Sequence, residues 1–209
     1  MFKDRAEAGK LLAKKLKKYE NKKDSIVLAI PRGGVPVAYQ IAKALSLEMD
    51  VIIIKKIGYP GNEELAIGAA GMDNYFINKE FMRDSSVPKD YIKNKVKEKQ
   101  QEIKDKYDFF RAKKNKISLS GKTVIVVDDG VATGASITMA LKIIKGEGAK
   151  KIVLAVPVAP PETARILEKI TDEFICLEEP PYFMAISQFY EDFSQVEDDE
   201  AKKLIEELY

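Results

Sequence analysis

The sequence predicts an α/β fold with a central, mainly parallel sheet flanked by helices. Short apolar runs of strand length alternate with segments whose apolar residues recur at helical spacing, which is the pattern of successive βαβ units. The short runs show no polar alternation, as is typical of strands covered on both faces. With 209 residues, 45% of them hydrophobic, the chain can bury one sizeable core, so a single domain over residues 1–209 is expected.

The first elements follow from residue spacing near the N-terminus. Ala8, Leu12 and Leu16 lie on one helical face and predict a helix over residues 4–20. Strands are then expected over residues 25–30 and 50–55, with a helix over about 36–45 between them.

The middle of the chain breaks this alternation. Residues 57–78 are rich in glycine and offer two short extended pieces, 66–70 and 75–78, which predict a hairpin beside a loop outside the main sheet. Apolar residues then recur at helical spacing and predict a helix over residues 89–116. Its many lysines indicate a solvated basic face rather than a nucleic-acid surface, because no aromatic residues lie between the charges on that face.

The C-terminal half returns to the alternation of strands and helices. Strands are expected over residues 123–128, 151–156 and 173–177, with helices over about 134–147 and 161–170 between them. The tail, residues 191–207, is strongly acidic and predicts a solvated helix.

Composition excludes several kinds of active site. The chain has no histidine, which rules out Ser-His-Asp and Cys-His catalysis and every His-ligated metal site. Its one cysteine, Cys176, lies in an apolar run and is expected to be a buried strand residue rather than a nucleophile. A net charge of +2 gives no global basic field for nucleic acid, and no apolar run approaches the length of a membrane span. Because no apolar leader is visible at the N-terminus, a cytoplasmic protein is expected.

The segment around residues 124–136 carries the most specific signal. An apolar strand ends in the adjacent carboxylates Asp128 and Asp129, and a loop of small residues leads from them into a helix. The loop comprises Gly130, Val131, Ala132, Thr133, Gly134, Ala135 and Ser136. Ligands of parallel sheets bind at the carboxyl ends of the strands, where this loop is expected to lie. The sequence therefore predicts a binding site here, the alternative being an ordinary turn in which the aspartates cap the helix.

The residue types of this loop suit a phosphorylated sugar. Small residues let backbone N–H groups approach an anion, and the following helix adds the positive end of its dipole. Thr133 and Ser136 offer hydroxyl donors to the same anion. Because carboxylates repel phosphate, Asp128 and Asp129 are instead expected to accept hydrogen bonds from a ribose diol or to bind Mg²⁺, directly or through water.

Two groups of cations are expected at the same edge of the sheet. Arg32 follows the first strand and precedes Gly33 and Gly34, so its guanidinium can bind paired oxygens where the backbone comes close. Lys55 and Lys56 end the Ile-rich run that predicts the second strand. Taken alone, a Gly-Gly turn and a surface lysine pair are both common without any ligand.

Together these motifs resemble those of the type I phosphoribosyltransferases. The run from Val126 to Ser136 matches the family's motif for binding phosphoribosyl pyrophosphate (PRPP) throughout, and residues 26–34 resemble its pyrophosphate loop. The resemblance implies a family core over about residues 25–177 and a small hood built from residues 1–23, 57–78 and 178–209. Neither a P-loop nor a dinucleotide fingerprint competes with it.

The resemblance implies a transferase that moves the ribose 5-phosphate group of PRPP to a nitrogenous acceptor such as a nucleobase and releases pyrophosphate. Mg²⁺ is the implied cofactor, and PRPP and a small-molecule acceptor are the implied partners. Residues 57–71 would correspond to the loop that closes over the site in this family. The implied catalytic residues are Arg32, Lys55, Lys56, Asp128 and Asp129, and the implied PRPP-binding residues are Arg32, Gly33, Gly34 and residues 128–136.

The acceptor stays open at this point. Ala132 stands where 6-oxopurine phosphoribosyltransferases typically have Asp, which argues against hypoxanthine–guanine salvage. A C-terminal aromatic cluster could stack on a base, or it could pack a terminal helix onto the sheet. That cluster comprises Tyr182, Phe183, Phe189, Tyr190 and Phe193.

Two other functions also stay open. The chain could be a PRPP-sensing regulator with little or no catalysis, binding nucleic acid through the basic helices over residues 4–23 and 89–116. It could also be a general nucleotide-phosphate binding module. The intact set of Arg32, the Lys55–Lys56 pair and the Asp128–Asp129 pair favours a working enzyme, and a homodimer is open in each case.

Overall fold

The strands divide into two sheets. In the computed structural model, which describes residues 1–79, 81, 87–111 and 115–208, they are, in chain order, β1 (Ser25–Ala29), β2 (Glu48–Val51), β3 (Lys55–Tyr59), β4 (Asn62–Ala70), β5 (Tyr75–Ile77), β6 (Thr123–Val127), β7 (Lys151–Val158) and β8 (Glu173–Glu178). Five of them form a parallel sheet in the order β2–β1–β6–β7–β8, and β3, β4 and β5 form a smaller antiparallel sheet. The predicted α/β fold with a central parallel sheet is confirmed.

Helices cover both faces of the parallel sheet. They are α1 (Arg5–Lys15), α2 (Gly34–Leu45), α3 (Lys89–Arg111), α4 (Ala135–Gly146), α5 (Pro161–Ile170) and α6 (Asp198–Glu206). Alternate strand residues face opposite sides, so Val27 and Ile125 pack with α1 and α2, whereas Ile26 and Val124 pack with α4 and α5. Both faces are therefore apolar, which explains the unbroken apolar runs. Among the described residues, no helix is both long and apolar enough to cross a membrane.

The antiparallel sheet packs against α3. Ile57 of β3 and Ile67 of β4 form a separate core with Ile92 and Val96 of α3. β3 and β4 pair as a hairpin, and β5 adds to β4. The extended pieces predicted over residues 66–70 and 75–78 correspond to the end of β4 and to β5, which pair outside the parallel sheet as expected. The loop expected beside them is wrong, because residues 57–59 and 62–65 pair as part of β3 and β4.

The strand predicted over residues 50–55 is wrong in its second half. β2 pairs with β1 only as far as Val51, which lies opposite Ala29. The Ile52 N–H donates one more bond, to the Ala29 carbonyl at 2.9 Å, and β1 ends there. The chain then leaves the parallel sheet, and Lys55 begins β3 instead of ending β2.

The helix predicted over residues 89–116 ends at Arg111; residues 112–114 lie outside the described residues, and 115 and 116 are not helical. The last turns of α3 make a buried contact with β2. The Tyr107 hydroxyl donates to Asp50 Oδ2 at 2.7 Å, and Arg111 Nε lies 3.3 Å from Asp50 Oδ1. The Ile117 N–H donates to the same carboxylate at 3.3 Å, so Asp50 contacts described residues on both sides of 112–114.

Both terminal helices are shorter than predicted. α1 ends at Lys15, because the Leu16 N–H contacts the carbonyls of both Leu12 (3.0 Å) and Ala13 (3.2 Å) and the chain tightens into a 3₁₀ turn over Lys17–Tyr19. Within the tail, only α6 is helical among the described residues. The tail is not simply solvated, since two residues of α6 are buried in the core beside α2. These residues are Ala201 and Ile205.

Candidate functional site

The loops that follow β1 and β6 meet at the carboxyl edge of the parallel sheet. β1 and β6 are neighbouring strands, so Arg32-Gly33-Gly34 after one lies beside Asp128 and Asp129 after the other. A Cβ atom on Gly33 would lie 2.0 Å from Asp129 Oδ2, and one on Gly34 would lie 2.7 Å from the Val127 carbonyl. Only glycine allows this approach. The structure thus brings together the two motifs that the sequence predicts to share a ligand.

Asp129 is held by both ends of the chain. Arg5 Nε, from the first turn of α1, lies 2.7 Å from Asp129 Oδ2, and each side chain is only 11% exposed. The hydroxyl of Tyr190, near the C-terminus, donates to the Asp129 carbonyl at 2.7 Å. Phe2 N–H in turn donates to the Phe189 carbonyl at 2.7 Å, which joins the two terminal segments. Sequence reasoning did not single out Arg5, and it placed Tyr190 only in an aromatic cluster.

The two carboxylates of the site oppose each other's ionisation. Burial raises the pKa of Asp128 well above its usual value, and the neighbouring charge of Asp129 raises it further. Burial also raises the pKa of Asp129, although the Arg5 guanidinium opposes that rise. A hydrogen-bond donor or a cation bound here would relieve the repulsion, so the pair suits a diol or a metal ion better than an anion.

The loop from Gly130 to Ser136 is anchored on one side and exposed on the other at the start of α4. The Val131 N–H donates to the Val158 carbonyl at 2.9 Å, and Thr163 Oγ1 donates to the Ala132 carbonyl at 2.8 Å, so β7 and α5 fix the loop from behind. Gly134 has φ +73°, a left-handed conformation that favours glycine, immediately before α4. The exposed residues of the loop are Ala132, Thr133, Ala135 and Ser136. The first turn of α4 is thereby open to an anionic group.

Arg32 lies at this edge but contacts carboxylates of the protein itself. Its Nη1 lies 3.5 Å from Glu197 Oε2 and its Nε lies 3.9 Å from Asp198 Oδ1. Asp198, the first residue of α6, also contacts Lys106 of α3. The side chain of Arg32 is 39% exposed, and the Pro31–Arg32 peptide bond is cis.

Lys55 and Lys56 are not brought to the acidic pair. Lys55 Nζ lies 3.1 Å from Glu102 Oε2 on α3, and the side chain of Lys56 is exposed at the start of β3. Among the described residues, no contact joins either lysine to Asp128 or Asp129. Their predicted role at the pyrophosphate therefore stays a prediction.

The C-terminal aromatic segment lies over the loop after β6. Ile186 packs on Gly130, where a Cβ atom would lie 2.6 Å from Ile186 Cγ2. Phe183 stacks on Phe189, with ring centres 5.5 Å apart, while Tyr182 is 90% exposed. The segment forms only a short 3₁₀ turn over Ile186–Phe189. Cys176 lies on β8, partly buried, and burial raises the pKa of its thiol to about 12, which argues against a nucleophile.

Comparison with known proteins places these features in a family. The family model described as "Phosphoribosyl transferase domain" matches residues 3–194, a range that includes Arg5, both loops and Tyr190. The chain is 35% identical over 210 residues to "Putative phosphoribosyl transferase MT0597" of Mycobacterium tuberculosis strain CDC 1551, covering 100% of this chain and 47% of the relative. An equally similar relative comes from strain H37Rv, with the same identity and coverage. The chain thus spans about half the length of the curated relatives it matches.

Solved structures agree on the fold. The crystal structure of TT1426 from Thermus thermophilus superposes with a TM-score of 0.87 at 35% identity, covering 99% of this chain and 98% of that one. A hypoxanthine-guanine phosphoribosyltransferase from Bacillus anthracis superposes with a TM-score of 0.50 at 13% identity, covering 85% and 80% of the two chains. At that identity the second likeness shows a shared fold and nothing about the acceptor. The resemblance inferred from the sequence motifs is confirmed.

Proposed function

The chain belongs to the phosphoribosyl transferase domain family, and on that basis we propose that it transfers the ribose 5-phosphate group of PRPP to a nitrogenous acceptor, such as a nucleobase, with release of pyrophosphate. One observation carries the proposal. The glycine-bearing loop after β1 lies directly against the acidic pair after β6, with Gly33 touching Asp129. A ligand that carries both a ribose diol and a diphosphate would contact both loops at once.

Each part of the proposed site has one task. The exposed loop from Ala132 to Ser136, with the first turn of α4, binds the 5-phosphate. Asp128 and Asp129 accept hydrogen bonds from the ribose hydroxyls, and Arg32 binds the diphosphate as a charged, bidentate donor. Bond cleavage at the anomeric carbon builds positive charge on the sugar, and negative charge on the acidic pair would stabilise it.

The residues present fit Mg²⁺. Among the described residues, no three carboxylate or cysteine side chains converge, so the protein offers two carboxylates rather than a complete cage. Mg²⁺ usually keeps several waters and takes one or two carboxylates together with substrate phosphates, and Asp128 and Asp129 would hold it in that way, directly or through water. When bound, the ion neutralises charge on the diphosphate leaving group.

The acceptor would enter beside the C-terminal aromatic segment. Ile186 packs on Gly130, the first residue of the loop from Gly130 to Ser136. The exposed ring of Tyr182 and the stacked ring of Phe183 lie a few residues before Ile186 in the chain. A flat heterocycle would bind there by stacking. Ala132 continues to argue against a 6-oxopurine acceptor. Residues 57–71, which include most of the β3–β4 hairpin, are the proposed lid. A cytoplasmic location and a homodimer stay predictions.

A PRPP sensor is the second candidate, and one observation favours it. Arg32 is paired with Glu197 and Asp198, and Lys55 is paired with Glu102, so two of the three cations expected to bind the leaving group contact carboxylates of the protein. A sensor could bind PRPP through the acidic pair and the loop from Gly130 to Ser136 without completing the transfer. Release of pyrophosphate distinguishes the two functions.

The test begins with calorimetric titration of PRPP, with and without Mg²⁺. We expect binding that weakens strongly without the ion, and an Asp128→Asn/Asp129→Asn variant that loses about 1–3 kcal/mol of binding free energy because charged acceptors are lost. Glu206→Gln/Glu207→Gln, which changes two adjacent carboxylates at the end of α6, is the matched control. Equal affinity for PRPP in the wild type and the Asp128/Asp129 variant would reject the site.

The second arm follows pyrophosphate release with PRPP, Mg²⁺ and a panel of purines, pyrimidines and amines. Release that depends on one acceptor, and that falls in Lys55→Ala/Lys56→Ala, supports the transferase. Absence of release across the panel, combined with PRPP-dependent binding of DNA or RNA, supports the sensor.

A further inference from the structure

Arg5 has an unusually well-fixed guanidinium. Its Nε lies 2.7 Å from Asp129 Oδ2, its Nη1 donates to the Ser194 carbonyl at 2.7 Å, and its Cζ lies 3.9 Å from the centre of the Phe193 ring. Carboxylate, carbonyl and ring contact it from different parts of the chain. A long side chain held in this way loses its rotational freedom on folding rather than on ligand binding.

Asp129 lies in a slot between Arg5 and the loop after β1. On one side Arg5 contacts Oδ2, and on the other the backbone of Gly33 lies so close that a Cβ atom would be 2.0 Å from the same oxygen and 3.0 Å from Oδ1. The Tyr190 hydroxyl holds the carbonyl of the same residue. The carboxylate therefore has little room to rotate.

The contact with Arg5 leaves the Asp129 carboxylate able to accept further hydrogen bonds. An ionised carboxylate offers about four lone-pair directions, and the contact with Nε uses one of them. Arg5 also places one positive charge beside two adjacent carboxylates, in a site that must admit anionic phosphates. A fixed Asp129 carboxylate helps to bind a ligand whose hydroxyls donate to it. A reduced negative charge on Asp128 and Asp129 helps to bind a ligand that carries phosphates.

We propose that Arg5 is a positioning residue for the transfer, which fixes the Asp129 carboxylate so that it accepts a hydrogen bond from the ribose hydroxyls. The inference rests on the proposed function, because it assumes that a ribose phosphate binds at the acidic pair. Arg5 acts through Asp129 and does not itself contact the substrate. Its planar guanidinium contacts the Asp129 carboxylate, the Ser194 carbonyl and the Phe193 ring at the same time. A lysine ammonium at this position would keep the positive charge and lose this combination of contacts.

The test measures Arg5→Ala and Arg5→Lys against four ligands. These are PRPP with Mg²⁺, ribose 5-phosphate, 2,3-dideoxyribose 5-phosphate, which lacks the 2- and 3-hydroxyls of the diol, and pyrophosphate. For Arg5→Ala we expect the Kd of ribose 5-phosphate and of PRPP to rise about tenfold. For the dideoxy sugar and pyrophosphate we expect a smaller rise of about two- to threefold, because the variant also removes one positive charge beside the acidic pair. For Arg5→Lys we expect partial rescue, with a rise of about threefold for the two ligands that carry the diol.

Arg165→Ala is the matched control, because Arg165 is an exposed arginine of α5 away from the acidic pair. Thermal unfolding of every variant is measured alongside. If Arg5→Ala does not fold, the diol-specific loss in Arg5→Lys carries the test, since that variant keeps the positive charge.

Two results would overturn the proposal. Equal weakening of all four ligands, together with a lower melting temperature, would show that Arg5 only stabilises the fold. Unchanged affinity for ribose 5-phosphate in both variants would show that Arg5 does not act on the ribose site. If the wild type itself bound neither PRPP nor ribose 5-phosphate, the proposed function would fail before the inference was reached, so the two failures are distinguishable.

Discussion

The acidic and basic sides of the site are built in different ways. Asp129 is buried, in contact with Arg5 at 2.7 Å, and its position is fixed by neighbouring strands of the main sheet. Arg32 is 39% exposed, and its nearest carboxylates lie 3.5 and 3.9 Å away on a different part of the chain. Lys55 is 43% exposed and lies on the smaller sheet. The acidic side is therefore fixed before any ligand binds, whereas the basic side is exposed and held only by surface ion pairs.

This difference indicates which side has to change when a ligand binds. A buried, paired carboxylate can accept a hydrogen bond from a hydroxyl without moving, so the residues that bind the ribose are already in position before the ligand binds. Arg32 and Lys55, by contrast, contact carboxylates of the protein, with which a diphosphate would compete. Exposed ion pairs are weak, so this exchange costs little.

The largest effect is expected from Gly33→Ala, which tests whether the acidic side is rigid. The backbone of Gly33 has φ −57° and ψ −36°, which alanine adopts freely, so the effect is purely steric. The new methyl group would overlap Asp129 Oδ2, which Arg5 prevents from moving aside. We expect PRPP affinity to fall about 100-fold and the free energy of unfolding to fall by about 1–3 kcal/mol, measured by calorimetry and chemical denaturation.

Gly121→Ala is the control for that variant. Gly121 lies in the turn before β6, at the other end of the strand, and a Cβ atom there would meet nothing within 4 Å. Because φ is +73°, alanine costs about 1–2 kcal/mol of stability without touching the site. PRPP affinity that is unaffected by Gly33→Ala would mean that the Asp129 carboxylate moves freely, contrary to the comparison.

A smaller and more selective effect is expected from Arg32→Ala on the basic side. Affinity for PRPP and for pyrophosphate should fall about tenfold, because a charged bidentate donor is lost, while ribose 5-phosphate should bind within about twofold of the wild type. Stability should change by less than about 0.5 kcal/mol, since the ion pairs of Arg32 are exposed. Calorimetry with the three ligands checks this, beside Arg165→Ala, and equal losses for all three would assign Arg32 a different task.

The smallest effect is expected from removing the carboxylates that face Arg32. Glu197→Gln/Asp198→Asn should raise pyrophosphate affinity about two- to fivefold, because the competing internal anions are gone, and the gain should shrink at high salt. Glu206→Gln/Glu207→Gln, at the far end of the same helix, should leave affinity unchanged. A loss of affinity in the first variant would show that these carboxylates organise Arg32 for the ligand rather than compete with it.

The parts of the site that follow local patterns were predictable. An apolar run that ends in Asp128-Asp129 and leads through small residues into a helix is visible within about a dozen positions, and the structure forms that strand, loop and helix there. The end of β2 was not predictable in the same way. The apolar run continues through Ile54, but pairing stops where β1 ends at Ala29, and no local pattern shows where a partner strand ends.

Arg5 was missed because its partner lies 124 residues away along the chain. A signal was present nonetheless. Arg5 precedes Ala8 by three positions and Leu12 by seven, so it lies on the apolar face of α1, where a charge requires a buried partner. The sequence shows that such a partner must exist and cannot show that it is Asp129.

The joining of residues near both chain ends at Asp129 has a consequence for the order of folding. The pairing of β1 with β6, which joins Ser25 to Thr123, closes a loop almost as long as the contact between Arg5 and Asp129, so loop length alone does not set an order. All five parallel strands precede Tyr190 in the chain, so a growing polypeptide can order its sheet before the hydroxyl that holds the Asp129 carbonyl has been synthesised. The contact that holds Asp129 is therefore completed after the sheet, and a chain truncated before Tyr190 would keep all five parallel strands while lacking that contact.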